Sequence, residues 1–305
     1  MIRITRIGDG PMIHQGMHPS LGDNINGPSL IRVPDSTPNR LGRYYLYFSH
    51  HKGQHIRLAY TERVEGPWQI HPGGVMPLSG SPFAQTRPEV PQPAWAVAQN
   101  TDGLYPHLAS PDVLIRQDGS FEMYVHGLDA SGEQVTRHAT STDGLNWAFT
   151  DLMIPDTYLR IFRWRGETFA MARCSRFWRL GANGWEAGHI GIDPAVRHVA
   201  VLVRRDRLHV LFTRIGDAPE HLLHASIPLD RDWKDWKPDA PAQPILYPEH
   251  RWEGAGEPLR RSLIGAVGFE NALRDPCLFL HTGKVWLIYA GGGEHALGLA
   301  TVDGL

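Results

Sequence analysis

Cysteine is scarce: Cys174 and Cys277 are the only two in 305 residues. Two thiols so far apart in a long chain are not a disulfide framework, and free buried thiols are the expectation. Long hydrophobic runs are missing too. No stretch of about 18 apolar residues proposes a membrane-spanning helix, and the opening MIRITRIGDGPMIHQG has no apolar core of signal-peptide length, so a cytoplasmic location is expected. Charge of one sign is also lacking. Thirty Lys and Arg stand against 32 Asp and Glu, a formal net charge of −2, with no basic run. That excludes a nucleic-acid footprint and a polybasic membrane patch, and leaves small or uncharged partners. Nothing in the sequence sets an oligomeric state.

Turn and strand formers are plentiful. The chain carries 32 Gly and 24 Pro beside ten Trp, nine Tyr and ten Phe. This balance suits many short strands joined by turns, and predicts an all-β protein.

A unit recurs along the chain. PSLIRV (28–33) is followed by RYYLYFS (43–49) and HIRLAYTE (55–62), and SPDVLIRQ (110–117) by FEMYVHG (121–127) and QVTRHATS (134–141). The same order returns in TYLRIFRW (157–164) with ETFAMARC (167–174), and in RHVAVLVRR (197–205) with RLHVLFTR (207–214) and HLLHASI (221–227). It ends in RDPCLFLH (274–281), KVWLIYAG (284–291) and ALGLATV (296–302). The first two strands of each unit are apolar with little polar alternation, as in sheets buried on both faces. Five units of about 60 residues predict a five-bladed β-propeller, a single domain over 1–305. The blades are expected near 15–75, 107–152, 155–190, 196–237 and 270–305, with strand 2–7 completing the last blade and closing the ring. Two insertions, 76–106 and 239–272, are too long for turns, and the first is too Pro-rich for a helix.

In a propeller, the start of each first strand and the turn between strands two and three lie on one face. That geometry gathers Asp23, Asn24, Asn26, His50 and His51 from blade one with His107 and Asp112 from blade two. Blades three and four add Arg160, Arg173, Arg197, His198, Arg214 and Asp217, and blade five adds Glu270, Arg274, Asp275 and Glu294. Carboxylates, imidazoles and guanidiniums around one mouth can do acid–base work or grip a polyhydroxylated or anionic ligand. Several have plainer readings: Asp275 before Pro276 is a good turn residue, Asp112 can cap a strand, and Gln54-His55, Glu220-His221 and Glu294-His295 can be a hairpin device. Trp68 and Trp147 are expected to pack between blades, whereas Trp95, Trp178 and Trp252 could pack or stack on sugar. His50-His51 lacks the spacing and cysteine partners of a zinc site. No cofactor is required; if a metal is present, Ca2+ or Mg2+ held by oxygen and water in the central channel fits best.

GPSLIRV, RYYLYFSHHKGQHIRLAY and GPW, then SPDVLI, FEMYVHG and ATSTDGLNW, then LRDPCLFLHTGKVWLIYAGGGEHALGLA, resemble the five-bladed glycoside hydrolases related to family 43, the arabinanase and xylosidase group. The resemblance spans nearly the whole chain. It implies hydrolysis of a plant or microbial oligo- or polysaccharide, with inversion, by an Asp base at the start of blade one, a pKa-tuning Asp in blade two and a Glu acid in blade three. Here Gly27 and Ser110 precede the prolines of blades one and two, and PDTYLRIFRWRG has no Glu at the strand start; Glu167 follows the next turn. Only Asp275-Pro276 keeps the pattern. Inversion needs two carboxyls about 6.5–9.5 Å apart, and the expected pair is Asp275 or Glu294 with Asp112, tuned by His107 or His51. Arg160, Arg214 and Arg274 would grip substrate, with Asp23, Asn26, His50, Glu270 and Trp95 completing the site. A lyase using His51, His107 or Tyr158 as base with an Arg neutralising a uronate, or a non-catalytic carbohydrate-binding propeller, are the competing readings.

Overall fold

In the computed structural model, which describes residues 2–265 and 268–305, five antiparallel sheets stand around a central axis. Blade one comprises Asn26–Arg32, Tyr44–Ser49, His55–Thr61 and Gln69–Pro77. Blade two comprises Leu108–Ile115, Phe121–Leu128, Gln134–Ser141 and Ala148–Ile154. Blade three runs Arg160–Trp164, Glu167–Met171, Arg176–Gly181 and Gly184–Ile190. Blade four runs Val196–Arg204, Arg207–Arg214, Leu222–Pro228 and Gln243–Leu246. Blade five has Leu273–His281, Lys284–Gly291 and Ala296–Asp303, and its outer strand is Arg3–Arg6 from the other end of the chain. Arg3 pairs with Asp303 and Arg6 with Ala300, so the ring closes as the sequence predicts.

Period-two alternation explains why these strands are apolar on both sides. In Tyr44–Ser49, residues Tyr44, Leu46 and Phe48 enter the core shared with blade five, while Tyr45 and Tyr47 enter the core shared with blade two. Trp286, Ile288 and Ala290 likewise face blade one, and Val285, Leu287 and Tyr289 face blade four. Five such cores, one between each neighbouring pair of blades, hold the ring together. Trp147 is an inter-blade residue as expected: its ring lies edge-on to Tyr47 at 6.0 Å.

Two expectations about the insertions need correction. The segment from 239 does not start as a loop, because Gln243–Leu246 is blade four's outer strand; only its last two residues are shielded, which is why its pattern is faint. Within 76–106, Ala94–Ala98 is a short helix despite the flanking prolines, with Pro93 as its N-cap.

Candidate functional site

The innermost strands of blades one, two, four and five each carry a bulge at their starting ends, between Asn26 and Ser29, Ala109 and Asp112, Val196 and Val199, and Arg274 and Cys277. Bulges re-aim side chains beside binding sites. Here they put Gly27 (φ 57°), Ser110 (φ 47°) and Asp275 (φ 49°) in the left-handed region around the channel mouth. Tyr158 (φ 58°) takes the corresponding place ahead of blade three's first strand, and blade four contributes Arg197 and His198. A Cβ on Gly27 would lie 2.8 Å from the Cα and the Oγ of Ser110. Blade one therefore has no room for the carboxylate that the family pattern puts there.

Above this ring opens a cavity of about 130 Å3, lined from every blade and by both insertions. Its two deeply buried carboxylates are Asp275 and Glu294. Asp275 Oδ1 lies 2.8 Å from His198 Nδ1, and Oδ2 accepts the Gly27 N–H at 3.3 Å. Glu294 Oε2 accepts from Asn24 Nδ2 at 2.9 Å and Asn26 Nδ2 at 2.7 Å, with His51 Nδ1 at 3.5 Å; Oε1 is 3.5 Å from Arg274 Nη1. Burial disfavours its charge, but His51, Arg274 and the Asn24 amide outweigh that and hold the carboxyl well below the usual glutamate range.

Rings panel the rest of the wall in an arc. Tyr105 and His107 are 4.7 Å apart, His107 and His126 5.5 Å, His126 and Tyr158 4.3 Å, and Tyr158 and His198 4.0 Å. Burial lowers His107 to about 4 and holds His126 well below the usual imidazole range, so both imidazoles are neutral at pH 7. His107 Nδ1 donates to the Tyr105 carbonyl at 2.9 Å, whereas His126 Nδ1 is buried without a partner among the described residues. Trp95 closes one side from the short helix, and Leu263, Ile264 and Gly265 face it from the second insertion.

Of the residues expected here, Asp275, Glu294, His107, Asn26, His51, Trp95, Arg173, Arg197 and His198 line the cavity. The others do not, and each has a physical reason. Asp112 lies deeper in the axial channel, where it accepts from Arg160 Nη1 at 3.1 Å and from the Ile161 N–H at 2.8 Å. Arg160 plugs that channel: it also donates to the carbonyls of Pro111 (2.8 Å), Pro28 (2.9 Å) and Val199 (3.3 Å). Arg274 is fully buried behind Glu294, donating to Glu220 at 2.8 Å and to Glu270 at 2.5 Å, so Arg274 and Glu270 brace the site without lining it. Asp23 is exposed and only 3.7 Å from His50, outside the cavity with it. Arg214 is spent on Asp217 at 3.3 Å at the rim.

Trp178 and Trp252 pack away from the funnel, the former donating to Asp156 at 3.0 Å and the latter lying against Tyr289 at 5.8 Å. The hairpin reading of the Glu-His pairs holds for the histidines, since His221 bonds the Pro219 carbonyl and His295 that of Gly292. Glu220, by contrast, is a buried anchor that receives two bonds from Arg197 and one from Arg274. Tyr158, expected only as a lyase base, also lines the cavity, and so does His126, which stood outside the expected set. His126 carried a usable signal: it ends a second strand, at the same level as the start of its neighbouring first strand, where it pairs with Ala109.

The channel does not suit the expected cation. The carbonyls and the carboxylate that would hold Ca2+ or Mg2+ are already bound to the Arg160 guanidinium. Among the described residues no group of three or more His, Cys, Asp or Glu side chains is arranged to hold a metal. Both cysteines are unpaired, and among the described residues no helix is long and apolar enough to cross a membrane.

This architecture is the five-bladed propeller of the family 43 glycoside hydrolases. It superposes on a family 43 β-xylosidase/α-arabinofuranosidase from a compost microbial metagenome, solved with xylotriose in a calcium-free form, with a TM-score of 0.60 at 11% identity over 98% of this chain and 94% of that one. A family 43 enzyme from Xanthomonas citri gives 0.60 at 13% identity (98% and 90%), and an α-L-arabinofuranosidase from Lactobacillus brevis 0.58 at 10% (96% and 92%). At such identities the likeness establishes the fold. No family model matches the sequence. The chain belongs to one family with an uncharacterized protein of Acanthamoeba polyphaga mimivirus, 30% identical over 303 residues that cover 90% of this chain and 82% of that protein.

Proposed function

We propose that the protein is a glycoside hydrolase whose reaction takes place in the funnel, on a plant or microbial oligo- or polysaccharide. The observation that supports this most is the pairing of two buried carboxylates of unlike surroundings at one cavity: Glu294 fixed as an anion, and Asp275 bound to an imidazole. An inverting reaction needs an ionised base beside the attacking water and a proton donor beside the leaving oxygen. Glu294 is the base. Asp275, 2.8 Å from His198 Nδ1, orients the imidazole so that Nε2 can pass a proton to the leaving oxygen, as a carboxylate does for histidine in other acid–base sites. Asn26 and the neutral rings of His107 and His126 frame the sugar, and Trp95 offers a stacking face.

A lyase is less well supported. Burial pushes the Tyr158 phenol up to about 12, which keeps it protonated at neutral pH and so unable to take a proton. The test is release of reducing ends from a panel of arabino-, xylo- and acidic oligosaccharides, with Glu294→Gln and His198→Asn as controls. Each variant is expected to lose about 10²–10⁴ in kcat/KM. Full rate in both, or a product absorbing as an unsaturated uronate, would overturn the assignment.

A further inference from the structure

Arg173 differs from the other arginines around the funnel. Arg197 is bound to Glu220 at 2.7 and 3.0 Å, Arg274 lies among three carboxylates, and Arg160 is consumed by the channel. Arg173 lines the cavity, is only partly buried, and among the described residues its guanidinium has no hydrogen bond or ion pair. Asp156, which feels its charge, already accepts from Trp178 Nε1 at 3.0 Å and lies 3.8 Å from Arg176 Nε.

The backbone presenting Arg173 is strained. The next two residues, Cys174 (φ 59°) and Ser175 (φ 56°), both occupy the left-handed region although neither is glycine. Ser175 is fully buried, and its Oγ accepts the N–H groups of Ile192 at 3.0 Å and Asp193 at 3.1 Å, which locks the turn. Strain that neighbouring structure enforces is typical of ligand clamps. The position is equally telling. Blade three shares no core with blade five, so this free cation reaches the cavity from a different part of the ring than Asp275 and Glu294 do.

Building on the glycoside hydrolase reading, we propose that the funnel takes a sugar bearing a carboxylate, a uronic acid, and that Arg173 seats that carboxylate. The planar fork matches a carboxylate in a bidentate manner. Seating it on blade three also puts the substrate's charge on a blade that shares no core with the one bearing Glu294, the anion that would repel it.

Calorimetric titration of the full chain with glucuronate, galacturonate, glucose, galactose and galactose 6-sulfate tests this at low and moderate salt. One uronate is expected to bind about tenfold or more tightly than its neutral counterpart, with the advantage shrinking as salt rises. Arg173→Gln collapses that difference and Arg173→Lys retains part of it. Equal binding of uronate and neutral sugar, an undiminished preference in Arg173→Gln, or a preference for the sulfate ester overturns the inference. If Arg173→Gln fails to fold, the wild-type comparison and Arg173→Lys still decide. Hydrolysis of neutral glycosides without uronate preference sinks the inference and leaves the hydrolase standing. Uronate binding that depends on Arg173 with no glycoside cleaved does the reverse, and no sugar binding at all sinks both.

Discussion

Replacing Arg160 with Met removes the guanidinium from the axial channel while keeping most of its length. The structure shows what is left behind. Asp112 loses its ion pair at 3.1 Å and keeps only the Ile161 N–H, and the carbonyls of Pro28, Pro111 and Val199 lose their donor. Removing one partner of a buried pair costs about 3–5 kcal/mol. The carbonyls add less, because a channel space of about 150 Å3 admits water to them. A loss of about 3–5 kcal/mol is a third or more of the stability of an ordinary domain. It is read as a lower midpoint in urea unfolding with an unchanged slope.

Two further arms isolate the cause. Arg160→Met/Asp112→Leu takes away the stranded carboxylate as well, and is expected to recover about 1–4 kcal/mol relative to the single variant. The pH dependence follows from the proton balance. Burial already raises the Asp112 carboxyl against the pull of Arg160. Without that pull it rises further, so the folded single variant binds a proton more tightly than its unfolded chain does. Its stability is then greatest at low pH and falls as pH rises through the raised value, so the deficit against wild type narrows between pH 7 and pH 5. A single variant as stable as wild type, or a double variant weaker than the single, would refute the reasoning.

Gly27→Ala is expected to cost about 2–4 kcal/mol, the sum of a left-handed φ on an L-residue and overpacking against Ser110. Ser110→Gly should not rescue it, because the Ser110 Cα itself lies 2.8 Å from the added Cβ; a full rescue in thermal unfolding would show the backbone contact to be soft. For catalysis, the depressed Glu294 carboxyl predicts an acid limb of kcat/KM below the usual glutamate range, since activity is lost only as pH falls through the lowered value. An acid limb above pH 5 would remove Glu294 from the base role. Asp112→Asn should leave turnover within about threefold of wild type, because Asp112 lies outside the cavity.

The blades are legible in the sequence because two independent signals agree: apolar strands of five to nine residues, and turn residues between them. Depth along the axis is not legible. Asp112 and Asp275 both belong to first strands near their starts, yet Asp112 falls two residues beyond Ser110, the blade-two counterpart of Asp275. At about 3.3 Å per residue, that offset moves a carboxylate roughly 6–7 Å down the channel. Arg160 is displaced from Tyr158 by the same step. The sequence places Arg173 on the right face, but its significance rests on the backbone conformation of Cys174 and Ser175, for which RCS has no sequence signature. The roles of Arg274 and Glu270 were also hidden. Facing the mouth and reaching it are different properties when Glu220 and Glu294 are present to capture a guanidinium first.

The ring itself explains how a family fold can lose its usual trio and still hold acid–base groups at its centre. A propeller offers five similar positions at the mouth, so a side chain needed there can come from any blade. In this chain the positions on blades one to three are Gly27, Ser110 and Tyr158, none of which carries a carboxylate. Blade five supplies both, Asp275 from its first strand and Glu294 from the turn after its second. Their partners come from the neighbouring blades on either side: His198 from blade four, and Asn24, Asn26 and His51 from blade one. Blade five is thus flanked by donors on both sides, which the closed ring alone makes possible, because Asn26 and Glu294 are 268 residues apart in sequence. Blade three, by contrast, brings a guanidinium to the same cavity, that of Arg173, which among the described residues has no hydrogen bond or ion pair.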